Sequence, residues 1–249
     1  MKKVIIFNKK IGETPLEAIK RFKLVNREYA KSKISYAGRL DPMAEGKLLL
    51  LIDEENKNRR QYEKLDKEYL FEILFGITTD SGDILGLIIN SENKINISKK
   101  KAENALQSIK VRNYQYPPMF SSVPVKGKPL YYWARKKSIN KIKIPKRKIT
   151  IHSIELVDLY NISVKKLEEI VQKRIGLVKG NFRQSEILLN WKNYFASSST
   201  LLFKIALIKV KCSSGTYVRS ITKDLGKILK TACLTLSIKR TKVSRRKCF

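Results

Sequence analysis

Histidine is almost absent from this sequence: His152 is the only one among 249 residues. It sits in a strand-like pattern and reads as structural, and its isolation argues against Ser–His and Cys–His nucleophilic schemes. Cysteine is nearly as scarce. Cys212, Cys233 and Cys248 lie far apart with no CxxC spacing, so neither a disulfide framework nor a zinc site is expected. A reducing compartment fits that usage, and the cytoplasm is the default expectation. No run approaches the roughly 18 consecutive apolar residues of a membrane span. The opening MKKVIIFNKK holds only Val4 to Phe7 between lysines, too short for a signal peptide and better read as a first strand. Acidic residues are missing from the whole interval between Glu103 and Glu155.

What is present is positive charge. Lys+Arg number 53 against 22 Asp+Glu, a formal charge of +31. The acid-free interval holds twelve of those cations, from Lys110 to Lys148, interleaved with Tyr114, Tyr116, Phe120, Tyr131, Tyr132 and Trp133. Cations for phosphates and rings for unstacked bases are the composition of a nucleic-acid surface, with RNA and DNA undecided at this point. A membrane surface would ask for a long amphipathic helix. This interval is instead broken by Pro117, Pro118, Pro124, Pro129 and Pro145. A lysine-rich genome is the bland account of the same numbers.

Along the chain, Thr14 is placed to cap a helix carrying Pro15, Ala18, Ile19 and Phe22. Leu48 to Ile52 reads as a buried strand. Tyr69 to Phe75 alternates like one and ends at Gly76 in a turn-rich loop, TTDSGDILG, where Asp80 and Asp83 are expected to shape turns. Helical patterns cover Ser98–Ile109, Leu130–Lys136, Val164–Ile175 and Gln184–Tyr194, and a Ser/Thr linker covers Ser197–Thr200. Strands are expected at Ile149–Tyr160 and Leu201–Cys212, then a Ser213–Gly215 turn and a helix over Thr216–Lys230. Without strict βαβ alternation this is an α+β chain with a central mixed or antiparallel sheet flanked by helices, and a single domain is expected over 1–249.

One short stretch carries chemistry. In SYAGRLDPMAEG, Ser35 to Gly46, the carboxylate of Asp41 is fixed between Leu40 and Pro42, just ahead of the Leu48–Ile52 run. Asp-Pro is a common helix start, with Asp as the cap. The same geometry suits a nucleophile, because orphan N–H groups at a helix start hold a carboxylate and an apolar strand behind it excludes water.

GRLDPMAEG resembles the G-x-L-D-P-x-A-x-G signature of the pseudouridine synthases, in the TruB branch that modifies the T loop of tRNA. Four further blocks match in order: KEYLFEILFG with TTDSGDILG, PPMFSSVPVKGKPLYYWAR, SSGTYVRSITKDLG and LSIKRTKVS. The resemblance implies the pseudouridine synthase fold and an isomerase that needs no cofactor and no metal. Its partner is RNA, the tRNA T arm; a monomer is the default expectation, on which the sequence itself is silent. It implies Asp41 as the nucleophile that attacks a flipped uridine, at C6 of the base or C1′ of the sugar. Tyr69 matches a tyrosine that stacks on the base and is a candidate proton relay. Arg219 matches the arginine that pairs with the aspartate. Tyr217 and Ile238 match positions of the pocket wall, and Gly38 lets a ligand approach the backbone.

The chain also departs from that pattern. Y-A-G stands for the usual H-T-G, so Tyr36 replaces a histidine that stacks in the RNA. Arg39 resembles the arginine that supports base flipping in other branches. Pro124 replaces a customary lysine, and Lys126 and Lys128 are its nearest substitutes. About 164–199 is expected to be a helical insertion. No PUA domain is expected, and 239–249 is expected to be a basic tail that grips phosphates. An RNA-folding chaperone with incidental or lost catalysis, or the same chemistry on another RNA, are the competing readings.

Overall fold

The computed structural model describes residues 2–198 and 201–244. Its frame is a seven-stranded sheet of β1 (Val4–Lys9), β2 (Ile34–Ala37), β3 (Ala44–Ile52), β4 (Asp66–Phe75), β5 (Ile151–Ser163), β6 (Leu202–Cys212) and β7 (Cys233–Ser244). Strand order is β1-β3-β7-β4-β6-β5. β7 runs parallel to β3 and every other pairing is antiparallel, so the sheet is mixed, as expected. The helices are α1 (Pro15–Val25), α2 (Arg59–Glu63), α3 (Lys99–Lys110), α4 (Leu130–Arg135), α5 (Val164–Gly176), α6 (Gln184–Ser197) and α7 (Val218–Leu229).

Two apolar layers cover the two faces. Tyr69, Phe71, Ile73 and Phe75 point one way, into a core with Ala102, Leu106 and Ile109 of α3 and Val218, Ile221 and Leu225 of α7. Leu74 points the other way and packs with Leu167, Val171 and Ile175 of α5 and Ile187 and Trp191 of α6. The second face of β4 is mixed: Leu74 meets these helices, while Glu72 on the same face accepts from the Tyr160 hydroxyl at 2.7 Å and stands 3.9 Å from Arg174 of α5. The segment expected to be an insertion therefore packs into the core, supplying Leu167, Val171, Ile175, Ile187, Trp191 and Phe195 on that face.

The Thr14 cap forms as a full capping box: the Thr14 hydroxyl accepts from Glu17 N at 3.2 Å and Glu17 accepts from Thr14 N at 2.7 Å. Thr14→Ala is expected to lower stability by about 1 kcal/mol in urea unfolding, with an unchanged midpoint as the contrary result.

Three expectations change. Asp41–Pro42 does not start a helix. Asp41 C=O accepts from Ala44 N at 3.0 Å, and this turn leads straight into β3. The apolar run that follows forms a strand and leaves no helix to cap. Residues 239–244 are not a tail: Lys239, Arg240 and Lys242 belong to β7, and Arg240 is buried, 1% exposed. A β-bulge between Thr235 and Ser237 moves Ile238 to the face opposite Leu234 and Leu236, and Arg240, two residues on, follows Ile238 inward opposite Tyr69. Arg245, Arg246 and Lys247 lie outside the described residues, as do Ser199 and Thr200 of the expected linker. The α7 helix begins at Val218 rather than Thr216, with Tyr217 at its cap position.

Candidate active site

Asp41 lies on the connection from β2 to β3. Its neighbour Gly38 has φ +75°, a conformation that L side chains rarely adopt, which lets the chain turn sharply out of β2. Behind the loop, β3 changes partner: it pairs with β7 over Ala44–Gly46 and with β2 over Leu49–Ile52. In the gap, Arg240 donates from Nε to Lys47 O at 2.6 Å and from Nη1 to Gly38 O at 3.0 Å. The loop that carries Asp41 is therefore held from beneath by a buried guanidinium.

Arg219, in the first turn of α7, reaches Asp41 Oδ2 from Nη2 at 2.7 Å. Its side chain is 4% exposed, while that of Asp41 is 32% exposed, so one partner is locked and the other faces open space. The guanidinium also donates to Ser81 O at 3.0 Å and Phe120 O at 3.1 Å, and its Nε stands 3.5 Å from Asp83 Oδ2. Burial disfavours the arginine's charge, but Asp41 and Asp83 more than offset that and raise its pKa. Asp83 shapes its loop as expected, accepting from Leu85 N at 3.0 Å and Ser81 Oγ at 2.7 Å. Its second task, facing Arg219, was not foreseen. Burial pushes the Asp83 carboxyl up, against the pull of Arg219. Asp80 accepts from Leu87 N at 2.9 Å and pairs with Arg183 at 2.9 Å.

Asp41 opens into a cavity of about 690 Å³, inside the roughly 300–1,000 Å³ usual for ligand pockets. Tyr69, Tyr217, Ile238, Gly38, Arg39 and Arg219 line it with Asp41, so the structure brings these sequence-derived residues together. Tyr69 is buried at 8% exposure. Burial raises its pKa although Arg240 acts against that, and the ring is accordingly a neutral phenol. Gln115, also missed, clamps Tyr217: it accepts from Tyr217 N at 2.8 Å and donates to Tyr217 O at 3.1 Å.

Two sequence-derived residues sit elsewhere. Tyr36 is buried at 9% among Ala18, Ile19, Phe22 and Leu50, and its hydroxyl accepts from Arg39 at 3.0 Å. It borders a second cavity of about 390 Å³ on the other side of Asp41, which Phe120, Tyr131, Phe182 and Arg183 also line. Lys128 is exposed, with its ammonium 5.7 Å from the Tyr132 ring centroid and outside the lining of both cavities. His152 pairs with Asp66 at 2.9 Å, away from the cavity lining. Lys67, two residues before Tyr69, and Arg240, two after Ile238, also line the main cavity. Each lies two residues along a strand from a residue that the resemblance nominated, and that same-face spacing carries both of them inward. Among the described residues no cluster of His, Cys, Asp or Glu has a metal-binding arrangement, and no helix is long and apolar enough to cross a membrane.

A family model described as TruB family pseudouridylate synthase (N terminal domain) matches residues 26–175. The chain is 28% identical over 241 residues to a protein of Endomicrobium trichonymphae named tRNA pseudouridine synthase B, covering 96% of this chain and 84% of that one. A protein of Borreliella burgdorferi with the same name is 30% identical over 239 residues, 96% of this chain and 68% of that one. The fold is similar to that in a crystal structure of a Cbf5-Nop10-Gar1 complex, with a TM-score of 0.58 at 16% identity. That match covers 96% of this chain and 48% of the other, so the present chain spans about half its length.

Proposed function

The chain belongs to the TruB family of pseudouridylate synthases, and from that premise we infer that it converts uridine to pseudouridine in the T loop of tRNA. The observation that carries this reading is the Asp41–Arg219 pair at 2.7 Å on the wall of a cavity that also holds Tyr69.

The reaction needs a base taken out of its stack, at a cost of about a few kcal/mol. An aromatic face returns roughly 1–3 kcal/mol per base. In this reading the neutral Tyr69 ring supplies that face while Leu40, Val218 and Ile238 exclude water around the uracil. The carboxylate of Asp41 adds to C6 of the uracil or to C1′ of the ribose. The N1–C1′ bond breaks, the uracil turns while held, and C5 bonds C1′. The bond to Asp41 breaks with its electron pair returning to the carboxylate, by displacement at C1′ as C5 bonds there or by elimination from C6. C5 gives up its proton and N1 gains one, so the product is a free isomer and no redox partner is consumed. Arg219 holds one carboxylate oxygen and leaves the other free to attack. Arg39, exposed at the cavity mouth, is placed to meet the displaced strand, and the basic surface from Lys110 to Lys148 carries the phosphates.

Monomeric action in the cytoplasm completes the proposal. A T-arm hairpin transcript, given alone with the purified protein, is expected to gain one pseudouridine, mapped by mass spectrometry of nuclease fragments. Modification only of other RNAs, or only when a guide RNA is added, would overturn the T-loop assignment.

A further inference from the structure

Lys67 and Arg240 are two cations at the floor of the main cavity, 6% and 1% exposed. Gly38 bares both: a Cβ there would lie 3.3 Å from Arg240 Nη1 and 3.5 Å from Lys67 Cε. Their hydrogen bonds go to backbone oxygens, Lys67 Nζ to Glu63 O at 2.7 Å and Arg240 to Lys47 and Gly38, and Arg240 also meets the neutral Tyr69 hydroxyl. Neutral dipoles do not cancel two full charges, and each cation disfavours the other. Burial, and next the Arg240 charge, lower the Lys67 pKa to about 8. Arg240 Nη2 is buried with no hydrogen-bond partner. A buried donor left unmade costs more than a typical bond gains, so such a group in a cavity wall marks the place of a missing acceptor. The acceptor is an anion: Arg60, Lys64, Arg147 and Lys148 also line this cavity, whose only lining carboxylates are Asp41 and Glu63.

We propose that Lys67 and Arg240 form a phosphate cradle that binds one of the two backbone phosphodiesters flanking the extruded uridine. The inference rests on the RNA reading above. The Arg240 Nη2 donor and the Lys67 ammonium take the non-bridging oxygens, and the anion screens the two cations from each other. Because Arg240 also bonds the carbonyl of Gly38, the cradle ties the sugar–phosphate directly to the loop that carries Asp41. It is a positioning device that sets how deeply the nucleotide enters.

The test couples one side chain to one phosphate. T-arm RNAs carrying a single methylphosphonate, a neutral replacement, on the 5′ or the 3′ side of the target uridine are offered to the wild type and to Lys67→Met. Turnover is read as kcat/KM, and affinity as Kd in an Asp41→Asn background. Arg240 is left untouched because it fills the gap between β2 and β7. At one of the two positions the neutral linkage is expected to cost the wild type about tenfold or more, the scale of a hydrogen bond to a charged group. Lys67→Met should lose a similar factor on native RNA and nothing further on that methylphosphonate. Should Lys67→Met not fold, Lys67→Gln, which keeps a donor for the Glu63 carbonyl, gives the same cycle. Independent, multiplying losses at both positions, or no loss at either, overturn the cradle. Wild-type turnover alongside that result leaves the reaction standing. Coupling in Kd without any turnover would instead remove the reaction and keep the cradle.

Discussion

Asp41→Asn is expected to abolish turnover, by on the order of 10³-fold or more, while leaving the thermal midpoint and tRNA affinity close to wild type. The substitution keeps the size of the side chain and an oxygen for Arg219 to bond at the same place. The Asp41 side chain is 32% exposed, and its loop is anchored by Arg240 through Gly38 O, so little of the fold depends on its charge. What disappears is the second carboxylate oxygen, which an amide nitrogen cannot replace as a nucleophile. Rates are to be read from pseudouridine formation under single turnover, and integrity from circular dichroism. A variant that retains wild-type rates would show that Asp41 is only a partner for Arg219. A variant that loses turnover yet keeps tRNA refolding and full biological rescue would favour the chaperone reading.

Arg219→Met should damage both fold and rate. Arg219 is 4% exposed, and removing it leaves the buried Asp83 carboxylate without its cation and Ser81 O and Phe120 O without their donor. Breaking a buried pair from one side costs about 3–5 kcal/mol, and the partial exposure of Asp41 argues for the lower end. The loss has a pH signature. Burial already raises the Asp83 pKa, and without Arg219 nothing nearby opposes that as strongly. The folded variant then binds more protons than the unfolded chain around and above the usual carboxylate range, so its stability falls as pH rises. The deficit relative to wild type should shrink in mild acid, where Asp83 is protonated. Arg219→Lys, which keeps the charge but not the fork, is expected to fold and to turn over slowly. A deficit independent of pH would contradict the role given to Asp83.

Much of this was legible because one face of each strand is specified by period two. Tyr69, Phe71, Ile73 and Phe75 announced β4, and Val218, Ile221 and Leu225 announced α7. The ordered blocks supplied which of those side chains to gather around Asp41. Helix–strand competition at Asp41–Pro42 was misread because the local Asp-Pro signal for a helix start is strong, while the β pairing of Ala44–Ile52 is set by strands far away in sequence. Arg240 was taken for a tail residue on charge alone, although its alternation with Ile238 already turned it inward. Asp83 was credited only with its local turn, since its facing of Arg219 joins residues separated by more than half the chain. Tyr36 was expected to be presented to RNA. The apolar surface of α1 and β3 buries it instead, a contest between stacking and core that a single aromatic residue does not reveal.

The central claim is that Asp41 opens the glycosidic bond of a single extruded uridine. Tritium release from a tRNA transcript labelled at C5 of its uridines measures it most directly, because the C5 hydrogen leaves only when C5 has become the point of attachment. Wild type should release one equivalent, from the T loop, and Asp41→Asn none. Equal release from both proteins, or no release from the wild type, would contradict the account.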